Sequence, residues 1–151
     1  MSSDILTIYD NIGAWSLTIN GQSVRSLVLD EVQDTIPQPP VRLLLPFGNV
    51  VSGIDDESFQ HMAITRLDMM EWRIQDLLLF RPVAEGEGLR TAANQLLQYV
   101  STYAVQVADN QHITTQADIF QVTYSLEADR QWGNIKYFAV LCELIVHENI
   151  L

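Results

Sequence analysis

The sequence is nearly devoid of cysteine and lysine. Cys142 is the only cysteine, so an intrachain disulfide and thiol-based zinc sites are excluded, and a reducing compartment fits. Lys136 is the only lysine, and eight basic residues against nineteen acidic ones give a formal net charge of −11. Tight nucleic-acid binding needs clustered Lys and Arg to release counterions from phosphates, so this composition argues against it and against docking on an anionic membrane.

Long hydrophobic runs are also missing. The longest, such as Leu77–Phe80, fall far short of the roughly 20 residues that a membrane helix requires. Met1–Asp4 lacks the positively charged start of a secretory signal, so we expect no export by that route. With 151 residues, of which 48% are hydrophobic and 18% charged, the sequence predicts one globular domain spanning residues 1–151.

The first segment predicts a helix over residues 4–16. Ser2 or Ser3 can cap it by accepting an orphan backbone N–H. Apolar residues then recur near the helical period, at Ile5, Ile8, Ile12 and Trp15. The alternative is a strand that ends in a hairpin turn at Asn20-Gly21, a dipeptide that favours tight type I′ turns.

The next segments predict a strand, a turn and a loop. Ser23–Gln33 is rich in β-branched residues, which favours a strand. Pro37–Pro40 ends it, because proline lacks the donor N–H. From Phe47 to Phe59 the sequence predicts a long exposed loop.

Residues 62–83 predict one long strand with one wet face, because polar residues alternate with apolar ones. The apolar face carries Met70, Trp72, Ile74, Leu78 and Phe80. Its length exceeds the usual range of about 3–10 residues, so either a bulge interrupts it or part of it projects beyond the domain. A projecting hairpin arm would pair with a partner.

After Gly86 and Gly88 the sequence predicts its clearest helix, which Asp109-Asn110 closes. Its apolar stripe comprises Leu89, Ala92, Ala93, Leu96, Leu97, Val100, Tyr103, Ala104 and Val107. Since this stripe should face the sheet, we expect Trp72 and Leu97 to share one core.

The last part predicts a strand over Ile119–Leu126, a connection over Glu127–Asn134 and a final strand over Ile135–Val146. The final strand is apolar on nearly both faces, which is typical of a central strand or of one that another subunit covers. The whole chain predicts an α+β fold, with an antiparallel or mixed β-sheet, helices packed on one face and a long projecting strand or hairpin.

The residues that often carry chemistry form no recognisable motif. The histidines, His61, His112 and His147, lie on different predicted elements and lack the i, i+4 pairing of a helical metal site. Cys142 lies in the apolar last strand, where a thiol behaves as a small hydrophobe. We therefore predict no catalytic residue, metal or cofactor.

Two loops superficially resemble ligand sites. Gly86-Glu87-Gly88 precedes a helix, but the lysine and spacing of a phosphate-binding loop are missing and its glutamate would repel phosphate. Asp55-Asp56-Glu57 lacks the alternating ligands of a calcium loop. A loop that enters a helix and a solvated acidic loop are the better interpretations.

Two acids interrupt apolar surfaces, Asp76 on the long strand and Glu143 on the last strand. Buried acids usually need partners, and Arg73, Arg81 or Arg90 could supply them. We interpret these acids as members of structural ion pairs, because such pairs are common outside active sites.

Three local strings accompany this order of elements. They are Tyr9-Asp10-Asn11-Ile12, Pro40-Val41-Arg42-Leu43-Leu44-Leu45-Pro46 and Trp72-Arg73-Ile74-Gln75-Asp76. Together with the closing pair of strands through Tyr137 and Glu148, they resemble small phage neck and tail-completion proteins, especially the tail terminator.

The resemblance implies a structural virion subunit and not an enzyme. Such a subunit forms a ring, usually a hexamer, that caps the finished tail tube, joins it to the head connector and passes DNA. Its partners would be further copies of itself and the tail tube and connector proteins, with assembly in the bacterial cytoplasm. The residues between Phe47 and Phe59 and the long strand make this chain larger than a minimal terminator, which leaves another neck position open.

The net charge fits a ring through which DNA passes, because acidic walls repel phosphate. We therefore expect an acidic channel wall, and we expect the long strand or its adjoining loop, the segment between Gly53 and Ala63, to reach a neighbouring subunit. Two other hypotheses stay open: a small α+β ligand-binding module or enzyme of unknown substrate, and an acidic adaptor that mimics DNA.

Overall fold

The computed structural model describes residues 3–46, 63–66 and 69–150, with the backbone alone described for residues 63–66. Two α-helices occur in these ranges, α1 (Ile5–Gly13) and α2 (Leu89–Asp109). The strands are β1 (Thr18–Ile19), β2 (Gln22–Ser23), β3 (Arg25–Val28), β4 (Val41–Leu44), β5 (Ala63–Arg66), β6 (Met69–Pro82), β7 (His112–Thr114), β8 (Ala117–Trp132) and β9 (Ile135–Asn149).

Seven of these strands form one mixed sheet in the order β3-β4-β6-β9-β8-β7, with β5 pairing to β6 as well. Only the β3–β4 pair is parallel among the described pairs; the others are antiparallel. Residues of α1 and α2 belong to the core on one face of this sheet, and none belongs to the cluster on the other face. The predicted α+β fold with helices on one face is confirmed.

The two alternatives for the first segment both describe part of it. The predicted helix forms, but it ends at Gly13, three residues before the predicted Ser16. The hydroxyl of Ser3 accepts the backbone N–H of Ile5 at 3.1 Å. Asn20 and Gly21 then take φ values of 51° and 74° and join β1 to β2, which is the left-handed backbone that a tight hairpin turn needs.

The predicted strand over Ser23–Gln33 is shorter than expected. It divides into the end of β2 and β3, and a 3₁₀ turn follows at Leu29–Glu31. In that turn the Glu31 carboxylate accepts the backbone N–H of Val28 at 2.8 Å. Strand β4 was not predicted from the sequence, although all four of its residues are buried.

The prediction of one long strand over residues 62–83 is wrong, because the structure has two strands there. β5 pairs antiparallel to the beginning of β6, and β4 pairs to its later part. β9 flanks nearly the whole of β6 on its other side, and the expected bulge lies between Leu79 and Arg81. The predicted loop over Phe47–Phe59 and most of the segment between Gly53 and Ala63 lie outside the described residues.

The predicted connection over Glu127–Asn134 is also wrong. β8 continues through a bulge between Glu127 and Arg130 to Trp132, so only Gly133 and Asn134 separate it from β9. Gly133 has a φ of 61°, which explains why glycine occupies the turn. The prediction that the last strand is central is confirmed, since β9 lies between β6 and β8.

The main core lies between the helices and the sheet. Its fully buried members include Ile8, Ile12, Ile74, Leu78, Leu96, Tyr99, Tyr103, Phe138, Val140 and Leu144. A smaller cluster lies on the opposite face, where Leu27, Val41, Leu43, Leu45, Leu77, Leu79, Trp132, Tyr137 and Ala139 are buried. Val32 and Ile36 pack against it, and the Trp132 indole donates to the carbonyl of Gln33 at 2.9 Å.

The prediction that Leu97 belongs to the core is wrong. Trp72 is buried there with Leu96, whereas Leu97 is 51% exposed. Successive residues of an α-helix point about 100° apart, and the sheet covers only the side of α2 that carries Ala92, Leu96, Tyr99 and Tyr103. The apolar stripe is therefore wider than the surface that the sheet buries.

Candidate functional site

The deepest charged group in the described chain is an ion pair between Arg42 on β4 and Asp76 on β6. Both side chains are 0% exposed. The guanidinium donates twice, from Nη2 to Oδ2 at 2.7 Å and from Nε to Oδ1 at 3.3 Å. A two-point contact fixes orientation as well as distance, so it holds β4 and β6 in one register.

Arg42 also connects this pair to the first helix. Its Nη2 donates to the carbonyl of Ile12 at 2.8 Å, and its Nη1 donates to the carbonyl of Trp15 at 3.3 Å. The Ile12 carbonyl belongs to the last turn of α1 and the Trp15 carbonyl lies just beyond it, where the helix dipole favours a cation. The arginine therefore caps α1 from the sheet.

Helix α2 contributes to the same group through Tyr103, whose hydroxyl donates to Oδ2 of Asp76 at 2.7 Å. Burial, and then the Asp76 charge, raise the pKa of Tyr103 well above its ordinary value. Burial alone would lower the pKa of Arg42, but the charge and hydrogen bonds of Asp76, together with Tyr99 and Tyr103, outweigh it and raise that pKa. Arg42 and Tyr103 therefore each keep one protonation state at physiological pH, which suits a structural role.

The neighbouring Tyr99 has a buried hydroxyl without a hydrogen-bond partner in the part of the chain that the structure describes. Burial raises its pKa well above the ordinary value. An unpaired hydroxyl in a core costs free energy. Its ring contributes packing instead, because it lies 6.0 Å from the ring of Tyr103.

The prediction of a structural ion pair for Asp76 is correct in kind, but the proposed partners are wrong. Arg73 lies on the opposite face of β6, where its nearest acid is Glu71 at 3.9 Å. Arg81 pairs with Glu87. Arg42 was not predicted as the partner of Asp76, because it stands in an apolar string to which no strand was assigned. The signal that could have indicated it is a single arginine between valine and leucine.

A second buried acid, Glu148 on β9, was not singled out in the sequence. Its carboxylate accepts hydrogen bonds from Ser3 Oγ at 2.7 Å, the backbone N–H of Asp4 at 2.5 Å, Trp72 Nε1 at 3.0 Å and Gln116 Nε2 at 3.0 Å. Burial alone would raise its pKa, but these donors outweigh it and lower the pKa. Glu148 therefore anchors the start of α1 to the last strand.

Glu143 does not share that environment. It points to the face opposite the helices and is only half-buried. There it lines a shallow depression of about 270 Å³ with Arg73, Gln121 and Thr123. Among the side chains that the structure describes, none forms an ion pair with this acid, so that interpretation of Glu143 is not supported.

The histidines and the cysteine are held apart. His112 pairs with Asp118, and His147 pairs with Glu71 at 3.2 Å and stacks on the ring of Phe120. His61 lies outside the described residues. Cys142 is buried in the core, and burial raises the pKa of its thiol well above the ordinary value. Among the described residues no group of three or more His, Cys, Asp and Glu could hold a metal ion.

The loop before α2 is closed by an ion pair. Glu87 accepts from Arg81 at 2.8 and 2.9 Å and from the backbone N–H of Ala84 at 2.8 Å, and these bonds lower the pKa of Glu87 to about 2. The glutamate of Gly86-Glu87-Gly88 is therefore already paired within the loop. Asp55-Asp56-Glu57 lies outside the described residues.

A cleft of about 520 Å³ lies between the β1–β2 hairpin, β6 and α2. Its polar lining consists of the amides of Asn20, Gln22, Gln38 and Gln95 together with Arg81. The guanidinium of Arg81 already binds Glu87 and lies 4.7 Å from the ring centre of Phe138. These side chains can donate and accept hydrogen bonds, but they supply neither a general base nor a nucleophile.

The longest unpaired strand edge in the described chain belongs to β8. On that side β7 pairs only with Ala117 and Asp118, and Ile119 donates to the carbonyl of Gln111. Residues Gln121–Glu127, which we call the β8 edge, pair with β9 on one side and have no strand on the other side among the described residues. Bulges lie at both ends of this segment, between Ile119 and Gln121 and between Glu127 and Arg130.

No protein-family model, curated protein or solved structure was found to match this sequence. In the described part of the chain no helix is both long and apolar enough to cross a membrane.

Proposed function

We propose that the chain is a structural subunit of a homo-oligomeric ring at the head-proximal end of a phage tail, a tail terminator or neck protein. In this role it joins the tail tube to the head connector, and DNA passes through the ring. The observation that carries the proposal is the β8 edge.

An unpaired strand edge is a template for further strand pairing, and natural proteins usually shorten, charge or cover such edges. The bulges at both ends confine the β8 edge to one regularly paired segment. Within it, Val122, Tyr124 and Leu126 alternate with polar residues, and the only charge is that of Glu127 at its end. A segment of this kind supports assembly in which a strand of a neighbouring subunit pairs with the β8 edge and extends the sheet.

The position in a phage tail is supported by the resemblance of the three local strings and of the element order. The net charge of −11 adds to it, because an acidic subunit does not bind the phosphates of passing DNA. The buried ion pair contributes rigidity to the subunit and no chemistry, which is consistent with a structural role.

The test is the mass and shape of the purified chain. We expect native mass spectrometry to give about six times the chain mass of 17.1 kDa, and negative-stain electron microscopy to show rings with an open centre. A chain that stays monomeric up to high micromolar concentration would refute the ring. If such a monomer bound small molecules in the cleft near Asn20 and Gln95, the ligand-binding alternative would replace it.

A further inference from the structure

The outward side of α2 carries no charge. Its exposed residues between the two helix ends are Thr91, Asn94, Leu97, Gln98, Ser101, Ala104, Val105 and Ala108. We call these eight residues the α2 outer face. The nearest charged residues along the helix, Arg90 and Asp109, lie just outside this range. Each of the eight lies three or four residues from another member along the helix, and such residues are neighbours on the helix surface, so the eight form one continuous surface.

Such a surface is unusual for a helix that faces water. A surface helix normally carries charged residues on the face that points away from the core. Here Leu97 is 51% exposed and Val105 is 57% exposed, and the other six residues are small or neutral. Depletion of charged residues is one compositional mark of the centre of a protein interface.

We propose that the α2 outer face is buried against a second copy of this chain. The inference rests on the proposed function, because it names the surface through which the ring subunits meet. Copies that each carry a net charge of −11 repel one another. They can approach closely only through a surface that brings no further negative charge into contact, and the α2 outer face is such a surface.

The size of this face indicates how far the contact extends. From Thr91 to Ala108 the helix rises about 26 Å, and with a width of about 10 Å the face covers about 260 Å². A stable interface buries about 800 Å² on each partner. Since α2 packs over β8, the contact gains the missing area by continuing onto the β8 edge, where backbone groups are available for pairing.

The experiment introduces charge into the face without touching the core. The double variant Leu97→Glu/Val105→Glu places two carboxylates on exposed positions, and the matched control is Leu6→Glu on α1, where the native leucine is 62% exposed. We expect the native mass of the double variant to fall to the 17.1 kDa of one chain, while the control keeps the wild-type mass. Far-UV circular dichroism and the Tm should stay within error of the wild type for both.

A second variant, Ala104→Arg, adds bulk at the same face, and we expect the same fall in mass. If the double variant and Ala104→Arg both keep the native mass of the wild-type ring, this inference is overturned while the proposed ring stands. A ring that Leu6→Glu disrupts equally would also overturn it, because the effect would then come from charge anywhere on the surface. A wild-type monomer would refute the proposed function, and this inference with it.

Discussion

Replacing Arg42 with methionine should cost about 3–5 kcal/mol of unfolding free energy, because the carboxylate of Asp76 stays buried without its cation. Asp76 retains the hydroxyl of Tyr103 at 2.7 Å, but it loses both hydrogen bonds from the guanidinium. The carbonyl of Trp15 loses this donor as well, whereas that of Ile12 keeps the backbone N–H of Trp15 at 3.1 Å. Since every group involved lies in the core, water cannot replace the guanidinium cheaply.

Removing both charges should be less harmful than removing one. In Arg42→Met/Asp76→Leu no charge remains buried, and replacement of a whole ion pair by apolar side chains is often neutral or stabilising by about 1–4 kcal/mol. The carbonyl of Trp15 loses its donor in both variants, so the added cost in the double variant is that of the Tyr103 hydroxyl, which loses its acceptor, at about 1–3 kcal/mol for one buried group left unsatisfied. We therefore expect the double variant to be more stable than Arg42→Met alone.

The assay is urea unfolding followed by tryptophan fluorescence, since Trp15, Trp72 and Trp132 are all buried. With a slope of about 2 kcal/mol per molar urea, a loss of about 4 kcal/mol moves the midpoint down by about 2 M. The control is Arg73→Met, whose native side chain is 45% exposed and 3.9 Å from Glu71. It should cost less than about 1 kcal/mol. Equal midpoints for Arg42→Met and Arg73→Met would refute this reasoning.

Two further predictions concern packing and pH. Leu96→Ala should lower the unfolding free energy by about 2–5 kcal/mol because it leaves a cavity, whereas Leu97→Ala should lower it by less than about 0.5 kcal/mol. The same urea assay compares the two variants. A larger loss for Leu97→Ala than for Leu96→Ala would show that the buried side of α2 has been assigned wrongly. The pKa of Glu148 is lowered from its ordinary value of 4.5, so its carboxylate stabilises the fold fully above that value and progressively less as the pH falls below it. We therefore expect the unfolding free energies of wild type and Glu148→Gln to differ by a constant amount above pH 4.5 and to converge below it. The measurement runs from pH 7 to pH 3. A difference that does not narrow in acid would contradict this account.

The elements that the sequence predicted well are those whose signal is local. The three- and four-residue spacing of α2 and the Asn20-Gly21 turn depend on nearby residues alone, and both appear in the structure. The apolar content of β9 indicated a central strand because burial on both faces requires it.

The errors concern information that the chain supplies only after folding. Leu96 and Leu97 are equally apolar, and only the position of the sheet decides which of them is buried. Likewise, the partner of Asp76 is 34 residues away on a strand with no alternating pattern, so proximity along the sequence suggested the wrong arginines. Within β8 the sequence had no signal that a strand could continue through a bulge to Trp132.

The central position of β9 has a consequence for how the protein folds. β6 reaches its main partner only when β9 is present, and the paired residues Met69 and Asn149 are far apart in the chain. The hydrogen bond from Ser3 to Glu148 closes a loop of 145 residues. Because loop-closure entropy must be overcome before such contacts form, folding slows as the separation grows. We expect a slow folder whose β6 is exposed to misassembly until the last strand arrives.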